Sequence, residues 1–180
     1  MTITERTIPG YITGTWNIDS VHSYVGFAIK HVMISKIRGQ FEAVQGQIVT
    51  APDVGDSHVE VTIDAGSFHT NNETRNQHIR SADFLDVEHY PNLTFTSTGI
   101  RFDEGFLIEG DLTIRGATKP VVLRVTTPQF GPNQEGVMSV GISAHTVITR
   151  STFGIDFDRG GLMLSDDVEV VLEIEGNLES

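Results

Sequence analysis

The chain carries seven histidines, His22, His31, His58, His69, His78, His89 and His145, and no cysteine. Imidazole, carboxylate and hydroxyl groups are therefore the chemistry on offer. Thiolate nucleophiles, disulfides, iron–sulfur clusters and cysteine zinc sites are excluded together. No two histidines stand in an H-E-x-x-H or H-x-H arrangement, so metal ligands would have to converge from distant elements, and no metal site is expected. Gly141-Ile142-Ser143-Ala144-His145 approaches the G-x-S-x-G nucleophile elbow, but it ends on the wrong residue and falls within an alternating stretch rather than a strand-to-helix turn. The acid pairs Asp156/Asp158 and Asp166/Asp167 read as a solvated rim of an acidic protein. Neither G-x-G-x-x-G nor a P-loop occurs. No residue stands out as catalytic.

The elements that must position these side chains are strands. Val59, Val61 and Ile63 alternate with Glu60, Thr62 and Asp64, and Phe106, Ile108, Leu112 and Ile114 share one parity opposite Glu109, Asp111, Thr113 and Arg115. The same period of two runs through Val121-Leu123-Val125, Met138-Val140-Ile142-Ala144 and Val168-Val170-Leu172-Ile174. From Val21 to His31 one parity holds Val21, Ser23, Val25, Phe27, Ile29 and His31, which aims His31 where the apolar residues point. Gly, Pro, Asn and Asp clusters at 51–56, 103–105 and 131–136 separate the runs. The count is about eight antiparallel strands, the number at which a closed barrel can hold one small ligand.

One segment departs from this period. Thr70-Asn71-Asn72-Glu73 fits a capping box, and Thr74 to Asp83 follows with helical composition, so one short helix is expected between strands. On it Arg75, His78, Ile79 and Ala82 share a stripe, with Glu73 and Arg80 off it. The expected fold class is thus mainly β, an eight-stranded antiparallel barrel with one short inserted helix. Its 180 residues, 38% of them hydrophobic, suit a single domain over residues 13–180 behind a mobile tail of residues 1–12. A net charge of -12 disfavours nucleic acid and anionic lipid surfaces as nonspecific partners. No apolar run is long enough for a transmembrane helix, and no secretory signal is visible, so the cytoplasm is the expected compartment.

The interior of such a barrel would be rich in rings: Phe27, Phe41, Phe68, Phe84, Phe95, Phe102, Phe106, Phe130, Phe153 and Phe157. A packed core and an occupied cavity both fit that composition.

Five blocks carry a resemblance that bears on the choice. They are Trp16-Asn17-Ile18-Asp19-Ser20-Val21-His22-Ser23 with Phe27-Ala28-Ile29-Lys30-His31; Asn72 to Phe84; Tyr90-Pro91-Asn92-Leu93-Thr94-Phe95; Gly110 to Pro120; and Arg150-Ser151-Thr152-Phe153-Gly154-Ile155. In order and over residues 13–178, they resemble the YceI-like family of polyisoprenoid-binding proteins. Asn76 departs from the acidic residue frequent after the helix arginine, and Gly14-Thr15-Trp16 is similar to the G-x-W start of lipocalins. The resemblance implies a lipocalin-like barrel, an apolar tunnel for a polyisoprenoid, an isoprenoid quinone or another long-chain amphiphilic lipid, a homodimer, and transport, storage or sequestration rather than enzymatic activity. The lipid is then a ligand, and no cofactor is expected.

A tunnel of that kind would be lined by Phe27, Ile29, Phe41, Val61, Ile63, Phe68, Phe84, Phe95, Phe106, Ile108, Leu112, Ile114, Val140, Ile142 and Phe153. His31, Arg75, His78 and Arg115 would meet the head group. A ~40-carbon isoprenoid would gain ~15 kcal/mol gross from burying its surface, much of it offset by ordering the chain. Two rival readings are a cavity enzyme with a base at His31 or His78, and a ligand-free stress-related scaffold.

Overall fold

The computed structural model describes residues 8–158 and 163–180. The strands are β1 (Gly14–Ile18), β2 (Tyr24–His31), β3 (Ser35–Phe41), β4 (Val44–Thr50), β5 (His58–Asp64), β6 (Phe68–His69), β7 (Asn92–Phe102), β8 (Phe106–Ile114), β9 (Ala117–Val125), β10 (Gln129–Pro132), β11 (Met138–Thr149) and β12 (Leu164–Leu178). Helix α1 (Glu73–Arg80) lies between β6 and β7. Several strands are halves of longer ones. One flank of β12 pairs with β1 at Leu178↔Trp16 and with β2 from Glu173↔Tyr24 to Leu164↔His31, so β1 and β2 continue one line. Likewise β3 and β4 lie along it, pairing outward to β6 and β5. The ladder proceeds from β5 to β7, β8 and β9, and β11 joins β9 to the other flank of β12. The sheet therefore returns on itself as a closed eight-stranded antiparallel barrel, consistent with a lipocalin-like architecture.

Closure is uneven. The flank between β11 and β12 runs eleven residue pairs, from Ser139↔Asn177 to Thr149↔Asp167. Between β9 and β11 the ladder comprises Ala144↔Val125 and His145↔Arg124, extended by the Thr126 amide donating to the Ser143 carbonyl oxygen at 3.0 Å.

The break between β1 and β2 has a local cause. The Asp19 carboxylate accepts from the amides of Val21 at 2.9 Å and His22 at 3.4 Å, so the side chain offers the backbone a turn in place of the ladder. Val21 consequently stands outside any strand and is 84% exposed, which corrects the expectation that it shares the inward face of Phe27.

The helix runs from Glu73 to Arg80, so it ends before the expected Asp83, and its cap lies two residues beyond Thr70. Asn72 rather than Thr70 is its cap, accepting from the Arg75 amide at 2.9 Å. Thr70 is instead buried and bound to Asn76, whose Oδ1 accepts from its amide at 2.9 Å and its hydroxyl at 2.7 Å. Ala82 lies beyond the last helical residue.

The buried apolar residues fall into two clusters. One gathers Trp16, Val54, Phe106 and Val140; Trp16 is fully buried, its Nε1 donating to Thr50 Oγ1 at 2.8 Å. The other gathers Ala65, Phe84, Leu93, Ile114, Phe153 and Ile155 near the helix. Of the expected mobile tail, residues 1–7 lie outside the described residues, whereas Ile8 is buried in the first cluster and Tyr11 donates to the Ala51 carbonyl oxygen at 2.7 Å. Ile8 to Ile12 are thus docked onto the barrel. Among the described residues, no helix is long and apolar enough to cross a membrane.

Candidate ligand-binding site

The barrel is hollow, with a cavity of about 530 Å³ bordered by residues of both clusters. The alternation explains its wall: one parity of each strand faces inward, so Val25, Phe27 and Ile29 of β2 face the cavity with Val168, Val170, Leu172 and Ile174 of β12 and with Ile108, Leu112 and Ile114 of β8. Many of these residues are only half-buried because their inner surface borders empty space rather than other atoms. Such a lining offers dispersion contacts and excludes water, but gives little direction to a ligand.

Polar side chains in the lining come from a few places. Helix α1 turns Arg75, His78 and Ile79 toward the cavity, as its stripe requires. The Arg75 guanidinium is held by Thr70, with Nε donating to Oγ1 at 2.8 Å and Nη2 to the carbonyl oxygen at 2.6 Å. His78 Nε2 lies 2.8 Å from Asp83 Oδ2, and its ring meets Phe84 and Phe157 edge-on at 5.0 Å each. His31 lines the cavity at the end of β2, opposite Ser35 and Leu164. Asp158 Oδ2 accepts from the amides of Met163 and Leu164, both at 2.8 Å, which joins the two sides of the β11–β12 connection.

Arg150 is a polar lining residue that sequence reasoning missed, as are Thr146 and Asp158. It is only 3% exposed and lines the cavity, donating to the carbonyl oxygens of Ser165 at 3.0 Å, Ile155 at 3.0 Å and Phe157 at 2.6 Å. A signal for it existed: Ile142, Ala144, Thr146, Ile148 and Arg150 share one parity, and all five line the cavity. Following the alternation past Ala144 finds both Thr146 and Arg150.

The structure brings together most of the expected lining: Phe27, Ile29, Phe41, Val61, Ile63, Phe84, Phe95, Ile108, Leu112, Ile114, Ile142 and Phe153 all border the cavity, as do His31, Arg75 and His78. Four expected residues lie elsewhere. Phe68 shares the face of its cross-strand neighbour Phe41 but is fully buried and does not border the cavity, its ring 6.2 Å from Phe27 and 5.9 Å from Phe41, with the Arg80 guanidinium 5.2 Å away over its face. Phe106 and Val140 share the parity of lining residues but pack in the cluster of Trp16 and do not border the cavity. Arg115 sits in the β8–β9 turn with φ of 50° and donates to the Phe84 carbonyl oxygen at 2.9 Å, bracing the cavity wall from behind.

Titration is perturbed on the outer surface. Its hydrogen bond with His22 holds the Asp19 carboxyl below the usual carboxylate range, and the same bond raises the His22 imidazole above its ordinary value. Glu175 brings a third oxygen or nitrogen ligand atom within 4.8 Å of this pair. Asp19 is already engaged there by His22, two amides and Asn177 Nδ2.

A closed antiparallel barrel around an apolar cavity, capped by one helix, defines the lipocalin-like class of β-barrels. Within it, the YceI-like domain matches residues 16–176, and the chain belongs to that family. Protein YceI of Escherichia coli O17:K52:H18 is 36% identical over 157 residues, covering 86% of this chain and 81% of its own. The crystal structure of the Campylobacter jejuni YCEI protein matches with a TM-score of 0.73 and 30% identity over 84% of this chain and 90% of that one. A polyisoprenoid binding domain from Saccharophagus degradans shares the fold, with a TM-score of 0.68 at 16% identity over 93% and 100% of the two chains.

Proposed function

We propose that this protein is a non-catalytic carrier that holds a polyisoprenoid, an isoprenoid quinone or a similar long-chain lipid in its barrel. The observation that carries this reading is the cavity of about 530 Å³, apolar along its strands, with His31, Arg75, His78 and Arg150 among its few polar groups. That volume falls within the range of sites that enclose small organic ligands. An apolar tail would supply affinity in the wall, while His31, Arg75 and His78 would select the head group. The Saccharophagus degradans domain, described as binding polyisoprenoid, supports the ligand class. Homodimerisation is part of the same proposal. Val122, Val147 and Val171 are exposed on β9, β11 and β12 and offer an apolar outer face for it, which sedimentation velocity would test.

Mass spectrometry of an organic extract from purified protein tests the ligand, with an unrelated acidic barrel prepared in parallel. A stoichiometric isoprenoid or quinone is expected. A blank extract, together with a cavity that takes up no added lipid, overturns the reading.

A further inference from the structure

The tip of the β2–β3 hairpin runs against its own conformational preferences. The Ile34 amide donates to the His31 carbonyl oxygen at 3.1 Å, and the two residues enclosed, Val32 and Met33, have φ of 45° and 58°. Two successive left-handed residues closed in this way follow the pattern of a type I′ turn, which favours Asn-Gly and suits a β-branched residue poorly. The interior does not account for the choice, because Met33 is 70% exposed, Ile34 is 88% exposed and Val32 is exposed as well. Strain without burial points to a use outside the fold.

The surroundings indicate which use. The Val32 amide donates to the Met163 carbonyl oxygen at 2.7 Å, which sets the tip beside a residue that is both exposed and part of the cavity lining; Phe157 shares both properties. Apolar surface therefore continues from the cavity over its rim and onto the hairpin tip. The stem carries Lys30, Lys36 and Arg38, and no acidic residue occurs from Phe27 to Phe41, in a chain whose net charge is -12. Lys36 is bridged to Glu169 at 2.7 Å.

We propose that this rim docks on a lipid bilayer, with Val32, Met33 and Ile34 inserted among the head groups and Lys30 and Arg38 against anionic ones. The mouth of the cavity is then held at the phase in which a long apolar ligand resides. This inference deepens the carrier reading and rests on it. A bilayer fits better than a second copy of the chain: two hairpins meeting tip to tip would oppose their own cationic stems, whereas anionic head groups complement them. Apolar insertion with flanking lysine and arginine is also the composition by which interfacial segments hold to membranes.

The test uses flotation with phosphatidylcholine vesicles, with and without phosphatidylglycerol. The double variant Val32→Asn, Met33→Gly gives the turn its preferred residues, so it is expected to melt no lower than the wild type. It and a second variant, Ile34→Ser, are expected to bind the phosphatidylglycerol vesicles about tenfold less or weaker still, the inserted apolar area having been removed. Vesicle binding by the wild type that is stronger with phosphatidylglycerol and falls with salt supports the proposal. Absence of wild-type binding to either vesicle, or equal binding by the variants, overturns it. A wild-type dimer that the variants convert to monomer overturns it too, since a second copy then covers the tip. Organic extraction of the same preparations reports on the cavity separately, so failure of docking and failure of the carrier reading are distinguishable.

Discussion

The Arg150 guanidinium donates at 2.6 Å to the carbonyl oxygen of Phe157, tying the end of β11 to the backbone of a residue on the cavity rim. Further bonds to the Ile155 and Ser165 carbonyls make this one side chain the bracket of the connection leading to β12. Replacing it by methionine keeps the apolar volume but leaves several buried acceptors without donors. Arg150→Met is expected to cost about 3 kcal/mol in urea unfolding. Arg150→Lys should recover little of that, because an ammonium cannot span the planar fork. A loss below about 0.5 kcal/mol would show that the bracket is dispensable.

Ala144 borders the cavity midway along β11, opposite Leu172. In a filled core, Ala144→Phe would overpack and cost about 1–3 kcal/mol. In the hollow barrel the added ring enters vacant space, so the melting temperature is expected to hold or rise while lipid uptake falls. Calorimetry combined with displacement of a fluorescent fatty-acid probe reads both. A large drop in melting temperature would argue that the interior is effectively solid.

The Phe95 ring lies against Gly110 on the adjacent strand. A Cβ at position 110 would come within 2.7 Å of the Thr96 carbonyl oxygen and closer still to the Phe95 ring. Gly110→Ala is expected to destabilise the barrel by about 1–3 kcal/mol and to push the ring into the cavity. Adding Phe95→Leu should relieve the contact with the ring but not the one with the backbone, so the double variant recovers only part of the loss. Full additivity of the two changes in urea unfolding would refute the contact.

The Asp19–His22 pair gives a pH dependence whose sign can be worked out. His22 has its pKa raised by the hydrogen bond to Asp19, so its contribution is complete below about pH 6.5 and lost as the pH rises through the raised value. Asp19 has its pKa lowered by the same bond, so its contribution is complete above about pH 4 and lost as the pH falls through the lowered value. The pair therefore acts between Asp19's lowered and His22's raised pKa. NMR titration should place the His22 midpoint above that of a free imidazole, and Asp19→Asn should return it toward the ordinary value.

The strands were readable because a barrel with one wet face imposes a period of two, as β12 shows with Asp167, Glu169 and Glu173 facing solvent between Val168, Val170, Leu172 and Ile174. That period encodes which side of the sheet a residue faces, but not how far along the barrel it sits. Phe106 and Val140 accordingly share the inward parity, yet they pack in the cluster of Trp16 and do not border the cavity. Nor does it survive a turn: Asp19 diverts the backbone before Val21. Arg115 and Arg75 looked alike as cations near apolar faces, and only the three-dimensional course of the β8–β9 turn separates a brace from a lining residue. The helix was legible as a polar insert, but its cap was not, because Thr70 and Asn72 are both competent caps and the choice depends on Asn76 binding Thr70.

The short ladder between β9 and β11 gives the barrel a seam. Val121 and Leu123 on one side and Thr146 and Ile148 on the other all face the cavity, yet the ladder joins these strands only at Ala144↔Val125 and His145↔Arg124. Parting the strands there breaks far fewer hydrogen bonds than parting β11 from β12, so amides along this line are the ones to exchange first when the wall breathes. The container is thus closer to a split collar than to a rigid tube: a guest too wide for it would spread the collar at one place and leave the rest of the ring intact.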